Sequence, residues 1–380
     1  MGASSSLPKQ VAEAYIPPDQ VPEAEQEFAQ KLKDQCEVDH GNKTYREHDK
    51  SNTKDIFHNF GKYYYRKALN NLNMYILHIL RAVCLLNAAM VRSQPDETAS
   101  IYKDLEEICR NVLKMIGASK QHADLIAISR DIKKRIKKMR QEVDSRLKSD
   151  PDRKDDYKKK ERIVKNVQVY VTKEYTNIMR YAWNECVSIM GIPPCKYSFI
   201  GFGSLARGEV TPYSDFENAV LLPNGLTAEN HDICVIFFRF VSLLFQIVIL
   251  NIGETVVPCL YIPSLTNAID KGNDKKMYTF YDVKMYGIHS DSASPFAAHT
   301  SLGRMMTTPK KNITFELIQS IDEMYKYAQD DTEIKIGYHL DEVLRIICLV
   351  EGDDEIYANY DELIRNLAKQ GDKNARELCL

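Results

Sequence analysis

Apolar residues recur at steps of three and four along two stretches of the N-terminal half, the spacing of one buried face on an amphipathic helix. The pattern predicts a first helix from about Asp55 and a second from about Glu97 to Ile116. Ser93-Gln94-Pro95 separates them with a proline, which breaks a helix. The apolar positions that carry the pattern are Leu69, Leu72, Ile76, Ile79, Leu80, Val83 and Leu86, then Ile101, Leu105, Ile108, Val112 and Met115.

These two helices resemble one tetratricopeptide-type unit, but no second copy follows at a fixed period, so an α-hairpin inside a helical domain is the simpler interpretation. Residues 120–165 then predict a long charged helix, or a helix pair divided near Ser149-Asp150-Pro151. Basic runs at 133–140 and 158–160 suggest nucleic acid. Acidic residues are mixed through the segment, however, which favours a solvated helical face.

The centre of the chain changes from helical spacing to strand spacing. The apolar run from Tyr197 to Phe202 predicts a buried strand, which leads into the small-residue turn Gly203-Ser204. A second strand is predicted from Asp215 to Leu222. Because alternate strand residues share a face, Asp215 and Glu217 project to the same side. Two carboxylates beside a glycine turn suit hard cations and the phosphates that such cations carry.

The run from Gly203-Ser204 to Asp215-Phe216-Glu217 resembles the signature of the nucleotidyltransferase superfamily with the DNA polymerase β type of fold. Within it, Arg207-Gly208-Glu209 and Pro212-Tyr213-Ser214 look like the PII-protein uridylyltransferase branch. With Pro194-Cys195 ahead of the strand, the chain is also similar to a group of animal proteins that carry this domain after a helical region. The nucleotidyltransferase resemblance covers roughly Glu174 to Arg304.

The resemblance implies a Mg²⁺-dependent site, with two ions, in which Asp215 and Glu217 are the metal ligands and catalytic acids. It implies that Gly203-Ser204 cradles the phosphates of a nucleoside triphosphate, the donor substrate. Arg207 stands where a guanidinium could meet phosphate oxygens. An ion pair between Arg207 and Glu209 is an equally good interpretation.

Superfamily enzymes usually carry a third acid on a later strand, and Asp282 is the candidate. It is the single acid in the predicted strand from Thr279 to Gly287, and Lys284 stands where the uridylyltransferase branch has an arginine. The alternative is an edge-strand aspartate paired with Lys284 in solvent. Both interpretations remain open at this stage.

Residues 233–250 are apolar enough to suggest a membrane span. Arg239, Ser242 and Gln246 interrupt the run at steps of three and four, so a helix packed on a sheet, with one polar stripe towards solvent or the site, is the preferred interpretation. Two more strands are expected, at 256–262 and 278–288, and helical spacing is expected from Phe315 onward.

Together these elements predict an α+β protein in which a small mixed-sheet nucleotidyltransferase domain is flanked by α-helical regions. The predicted division has four parts. These are a disordered or loosely structured tail at 1–50, a helical domain at 51–165, the nucleotidyltransferase-like domain at 166–305 and a C-terminal helical region at 306–380.

Composition bears on the compartment and the partners. Lys and Arg number 51 against 53 Asp and Glu, so overall charge gives no reason to expect nucleic acid as a partner. The nine cysteines contain no CxxC pair, which predicts reduced thiols and a cytoplasmic location. The start Met1-Gly2, with Ser6, fits the N-myristoylation pattern, so membrane association is expected only if Gly2 is acylated. A chance Met-Gly start is the alternative.

The expected function is Mg²⁺-dependent transfer of a nucleoside monophosphate from a nucleoside triphosphate to a protein or small-molecule acceptor, as in uridylyltransferases. A different class remains open, namely a catalytically silent nucleotide-binding or adaptor protein whose helical region binds a protein partner. A third possibility is a synthase of nucleotide second messengers, which would use the same donor site.

Overall fold

The computed structural model describes residues 23–28, 30–31, 49–70, 75–148, 157–254, 290–291, 317–329 and 344–369. The chain forms two compact units. Unit 1 comprises residues 1–129, 246–289 and 295–315, and unit 2 comprises residues 130–245, 290–294 and 316–380. The predicted strand at 256–262, the predicted strand at 278–288 and Asp282 within it lie outside the described residues, as does Gly2.

The described part of unit 1 is helical, as its apolar spacing predicts. Helix α1 spans Asp49–Asn70, α2 spans Tyr75–Arg92 and α3 spans Thr98–Met115, with a 3₁₀ turn at Pro95–Glu97. The turn confirms the predicted break, and the Glu97 side chain accepts the backbone N–H of Gln94 at 2.9 Å. The single helix predicted before the break is two helices, α1 and α2.

Two long helices follow the hairpin, and both are rich in charge on their outer faces. Helix α4 spans Leu125–Lys148 and α5 spans Tyr157–Met190. The predicted division of the charged segment near residues 149–151 is therefore confirmed.

The sheet of unit 2 is small and mixed. Strand β1 spans Ser198–Gly201, the short helix α6 spans Gly203–Ala206 and β2 spans Phe216–Leu222. Later strands are β3 at Ser290–Asp291, β4 at Ile318–Ser320 and β5 at Cys348–Gly352. The order is β3-β2-β1-β5, with β4 also paired to β2. Strand β1 is antiparallel to β2 and β5, whereas β2 is parallel to β3 and β4.

Aromatic side chains fill the space between this sheet and the helices of unit 2. Trp183 of α5 is fully buried and stacks on Phe199 of β1, with ring centroids 3.8 Å apart. Phe238 lies parallel to Trp183 at 6.4 Å. Burial of such large rings stabilises the packed layers by about 2–3 kcal/mol per side chain. This core holds the first two strands, and therefore the predicted site, on a rigid base.

Helix α7 spans Ala228–Leu250, and Thr227 caps it by accepting the backbone N–H of Asn230 at 3.3 Å. Among the described residues it is the one helix long and apolar enough to cross a membrane, yet 72% of its most apolar stretch is buried inside the protein. The packed-helix interpretation fits this burial. Of the polar stripe predicted to face solvent or the site, Ser242 and Gln246 do not face solvent, being only 1% and 7% exposed, while Arg239 is partly exposed.

Helical spacing from Phe315 onward is wrong for two stretches, β4 and β5. Helices α8 at Ile321–Gln329 and α9 at Asp354–Lys369 do lie in this region. Strand β5 belongs to the continuous apolar run from Ile346 to Val350, and such a run has no period that distinguishes a buried strand from a helix. The fold is α+β, a small mixed sheet flanked by helices.

Candidate functional site

The candidate site forms where β1 ends and β2 begins. The two strands pair with Gly201 opposite Asn218, and one residue further on the Phe202 backbone N–H donates to the Glu217 carbonyl oxygen at 3.0 Å. The chain then turns into the single-turn helix α6. This hydrogen bond therefore fixes the Gly203 turn beside Glu217.

Gly203 is the residue that this close approach requires. Its φ is +55°, in the left-handed region that L side chains rarely adopt. A Cβ atom at this position would overlap the Glu217 carboxylate, with a Glu217 Oε as the nearest atom. The Glu217 carboxylate thus occupies the space that a side chain at position 203 would fill. The structure therefore brings together two of the predicted site residues, Gly203 and Glu217.

Asp215 lies immediately before β2 and is exposed, and Glu217 is partly exposed on the strand itself. Between and after them, Phe216 and Asn218 are buried. The alternation predicted from the sequence is therefore present, with acidic side chains on the accessible positions. Carboxylate oxygens are the hard donors that Mg²⁺ prefers, so this donor set suits the ion that the resemblance implies.

A third donor is not among the side chains that the structure describes. Within the described ranges, no group of three or more His, Cys, Asp or Glu side chains could hold a metal ion. Asp282, the predicted third acid, stays a prediction because it lies outside these ranges.

Strand β3 contributes a residue that sequence reasoning missed. The parallel register places Asp291 opposite Glu217 and Ser290 opposite Phe216. The Asn218 amide, 1% exposed, donates to the Ser290 Oγ at 3.2 Å and to the Phe216 carbonyl at 3.1 Å. These hydrogen bonds, which link β3 to β2, explain why a polar side chain is buried at position 218. A two-residue strand leaves no periodic signal by which Asp291 could have been found.

Arg207 directly follows α6, and Ser204 lies within that short helix. Arg207 Nε donates to Glu209 Oε2 at 2.8 Å, and both side chains are well exposed. The Ser204 carbonyl accepts the Glu209 backbone N–H at 2.8 Å, which folds the loop back on the short helix. The ion pair is the alternative named for Arg207. An exposed pair contributes little stability, so Arg207 can exchange Glu209 for a phosphate at low cost.

Hydrogen bonds between Thr211 and Ser214 close the turn before Asp215. Ser214 Oγ accepts the Thr211 backbone N–H at 2.8 Å, and the Thr211 carbonyl accepts the Ser214 N–H at 3.2 Å. Two residues from the long helices reach this turn. Arg140 donates to the Pro212 carbonyl from both Nε and Nη2, and the Tyr175 hydroxyl donates to the Ser214 carbonyl.

The basic segment of α4 agrees with the predicted solvated face for its lysines, because Lys133, Lys134, Lys137 and Lys138 are exposed. Its arginines do more. Arg135 stacks over the Tyr181 ring at 4.0 Å, and Arg140 stacks over the Tyr213 ring at 4.1 Å. Cationic side chains favour such positions over aromatic faces.

Cys348 lies near the glycine turn by register, since it pairs with Gly201. Its Sγ donates to the Gly201 carbonyl at 3.7 Å. Burial raises the pKa of the Cys348 thiol to about 11, so the group stays protonated at neutral pH. A protonated thiol is a poor nucleophile, so this residue does not suit a covalent mechanism.

Residues 155–246 match a protein family described as "Putative nucleotidyltransferase DUF294". The matched segment contains α5, β1, α6 and β2, and thus Gly203, Asp215 and Glu217. A search of curated proteins found no match. The family match supports a nucleotidyltransferase-like superfamily for this segment, and nucleotidyl transfer as the general type of reaction. The uridylyltransferase branch and the animal group stay predictions.

Proposed function

We propose that unit 2 is a Mg²⁺-dependent nucleotidyltransferase that moves a nucleoside monophosphate from a nucleoside triphosphate to a protein or small-molecule acceptor, in the manner of uridylyltransferases. The observation that carries the proposal is the Glu217 carboxylate lying against Gly203, where any side chain would displace it. Asp215 stands two residues away on the same accessible edge. A carboxylate pair next to side-chain-free backbone can approach metal and phosphate together.

In this proposal Asp215 and Glu217 would hold the metal, and two ions are expected. Mg²⁺, when bound, neutralises triphosphate charge and orients the reacting oxygens for in-line displacement. The backbone at Gly203-Ser204 would hold the outer phosphates, and Arg207 would exchange Glu209 for a phosphate oxygen. An acceptor oxygen then forms a bond to the α-phosphorus, the α–β bridging bond breaks and pyrophosphate leaves.

The acceptor must lose a proton, and a third acid would take it. Asp282 is the acid expected from the sequence. The β2–β3 register supports Asp291 as a second candidate, because neighbouring strands lie only about 4.8 Å apart. The variants Asp282→Asn and Asp291→Asn distinguish the two candidates. The transfer rate of wild type should fall at low pH, where the third acid is protonated, and the variant that lacks this acid should lose that dependence on pH. If both variants show the same dependence of transfer rate on pH as wild type, neither aspartate is the third acid.

The direct test is incubation of the full chain with Mg²⁺ and each labelled nucleoside triphosphate in turn, followed by detection of pyrophosphate and of labelled product. We expect release with at least one nucleotide, and Asp215→Asn or Glu217→Gln should abolish it. Full turnover by either variant would overturn the proposal. Labelled nucleic acid is not an expected product.

A second candidate function is a silent site in an adaptor protein, with the helical region binding a protein partner. The observation that favours it is the set of helices in the described part of unit 1, Asp49–Asn70, Tyr75–Arg92 and Thr98–Met115, which would supply the partner-binding surface. Nucleotide binding in Mg²⁺ without pyrophosphate release would favour this candidate. A product made of two joined nucleotides would instead indicate a synthase of nucleotide second messengers.

We propose a cytoplasmic location, with membrane association only through an acylated Gly2. One acyl chain gives only marginal, reversible membrane binding. Gly2→Ala should therefore move part of the protein from the membrane to the soluble fraction of a eukaryotic cell. An unmodified Gly2 by intact-mass spectrometry would dispose of the idea.

A further inference from the structure

We propose that Arg140 and Tyr175 are positioning residues that fix the turn Thr211–Ser214 and thereby present the Asp215 carboxylate to the metal and nucleotide. The inference rests on the proposed function of unit 2. Neither residue is part of the glycine and carboxylate pattern from which the site was predicted, and Arg140 also lies outside the segment that matches the nucleotidyltransferase family.

Tyr175 acts on the peptide bond that leads into Asp215. Its ring is fully buried, and its hydroxyl donates to the Ser214 carbonyl oxygen at 2.7 Å. That carbonyl belongs to the peptide joining Ser214 to Asp215, so the hydrogen bond sets the orientation of the peptide plane. The backbone on the N-terminal side of Asp215 is therefore held by a rigid, buried side chain.

Phe216 holds the other side of Asp215. It is fully buried and its ring lies 6.2 Å from that of Tyr175 and 5.6 Å from that of Phe199. Asp215 is thus an exposed residue between two fixed neighbours. Asp215 is exposed to solvent, while contacts to the residues on both sides restrain its backbone.

Arg140 fixes the middle of the same turn. Its Nε and Nη2 both donate to the Pro212 carbonyl, at 3.1 and 2.9 Å, and its guanidinium lies 4.1 Å from the centre of the Tyr213 ring. The planar guanidinium makes both contacts at once, which a lysine ammonium cannot do. The turn is consequently gripped at Pro212, Tyr213 and Ser214 from two helices, α4 and α5.

Such a grip matters because a metal ligand on a loose turn must be ordered when the metal binds. Residues that orient a ligand from behind typically change metal affinity by about 10- to 100-fold when they are removed. Preorganisation of this kind lowers the entropic cost of binding without adding a contact to the ligand. We therefore expect the two residues to affect metal and nucleotide affinity without touching either one.

The experiment measures binding of Mn²⁺ to the full chain by electron paramagnetic resonance, with ATP, CTP, GTP and UTP in turn. Tyr175→Phe and Arg140→Ala should weaken Mn²⁺–nucleotide binding by about 10- to 100-fold. Arg140→Lys should recover part of that loss, because a lysine can still donate to the Pro212 carbonyl.

Two variants of unit 2 are matched controls. Tyr360→Phe removes another hydroxyl of a fully buried tyrosine, which donates to the Leu344 carbonyl at 3.1 Å. Arg146→Ala removes another arginine of α4 that stacks on a tyrosine, at 3.9 Å from the Tyr170 ring. Both should lower thermal stability much as the test variants do, and both should leave Mn²⁺–nucleotide affinity unchanged.

The outcomes separate the two proposals. If wild-type protein binds Mn²⁺–nucleotide and the test variants bind equally well, the positioning role is wrong and the proposed function stands. If the control variants lose affinity as much as the test variants, the effect is general loosening and the positioning role is again wrong. If wild-type protein binds none of the four nucleotides with Mn²⁺, both proposals fail.

Discussion

The acidic side chains of the two units differ in their exposure to solvent. In unit 1, Glu25 is only 1% exposed, and its carboxylate accepts a hydrogen bond from Lys67 Nζ at 2.8 Å. In unit 2, Asp215 is exposed and Glu217 is partly exposed. Both regions place acidic side chains beside tightly packed aromatic residues. The difference is in exposure to solvent. A desolvated carboxylate must be paired with a cation of the protein, while an accessible carboxylate can bind a cation from solution.

The surroundings of Glu25 show the cost of burial. Glu25 Oε2, the Tyr64 hydroxyl and His78 Nδ1 are all buried, and none has a hydrogen-bond partner among the residues that the structure describes. Burial, and then the positive charges of Arg81 and Lys67, lower the pKa of His78 from 6.5 to about 3. The region is consequently a structural cluster whose stability depends on each remaining contact, and we expect it to respond to mutation through folding and not through ligand binding.

The largest effects on ligand binding and on stability should come from replacing one charged side chain in each region. Glu217→Gln should abolish Mn²⁺–nucleotide binding with little change in melting temperature, because its side chain is partly exposed. Lys67→Met should do the reverse, since it leaves Glu25 buried without that cation, at a cost of about 1–3 kcal/mol. Melting curves and metal titrations on both variants check this. Unfolding of Glu217→Gln, or unchanged stability of Lys67→Met, would break the comparison.

Gly203→Ala should lose the site at a cost to the fold similar to that of Lys67→Met. The new Cβ would overlap the Glu217 carboxylate and also force an L residue to a φ of +55°. Gly225→Ala is the matched control, because Gly225 has a φ of +78° and no atom within 4 Å of an added Cβ. Both should lose about 1–3 kcal/mol from backbone strain, but only Gly203→Ala should lose nucleotide binding. Equal binding by both variants would mean that the carboxylate does not need the space at Gly203.

The third prediction concerns pH and unit 1. Because the pKa of His78 is about 3 in the folded state and 6.5 in the unfolded chain, the unfolded chain binds more protons between these values. The stability that His78 contributes is therefore complete above pH 6.5 and is lost progressively as pH falls towards 3, by about 2 kcal/mol at pH 5. His78→Gln should flatten this part of the stability curve measured by urea unfolding. Parallel curves for wild type and variant would contradict the assignment.

The same two regions explain which features the sequence could predict. Strands β1 and β2, and the glycine beside the carboxylates, depend on one local run from Ser198 to Leu222, so the pattern of residue types was sufficient. Contacts between distant residues could not be predicted. Cys348 meets Gly201 across 147 positions of sequence and Arg140 meets Pro212 across 72. Such contacts depend on three-dimensional packing that leaves no local signature.

Individual residue types were also ambiguous without their partners. The buried amide of Asn218 is explained by its two acceptors, the Ser290 hydroxyl and the Phe216 carbonyl, and the first lies on a strand far away in the sequence. Tyr175 was not singled out from the sequence, since nothing in its neighbourhood distinguishes a buried hydroxyl that has a specific acceptor. Asp282 remains a prediction from resemblance, and Asp291 became a candidate only through strand register.

The smallest effect on stability and affinity should come from breaking the exposed ion pair of Arg207 and Glu209. This pair tests whether an exposed charge near the site affects binding without affecting the fold. Glu209→Gln should leave the melting temperature unchanged, because solvent and salt screen an exposed pair. If Arg207 binds phosphate, releasing it from Glu209 should raise nucleotide affinity slightly at low salt, and Arg207→Ala should lower it. Glu323→Gln, which removes the exposed partner of Lys326, is the control and should not change affinity. Identical affinities for Glu209→Gln, Arg207→Ala and wild type would leave Arg207 with the ion pair alone.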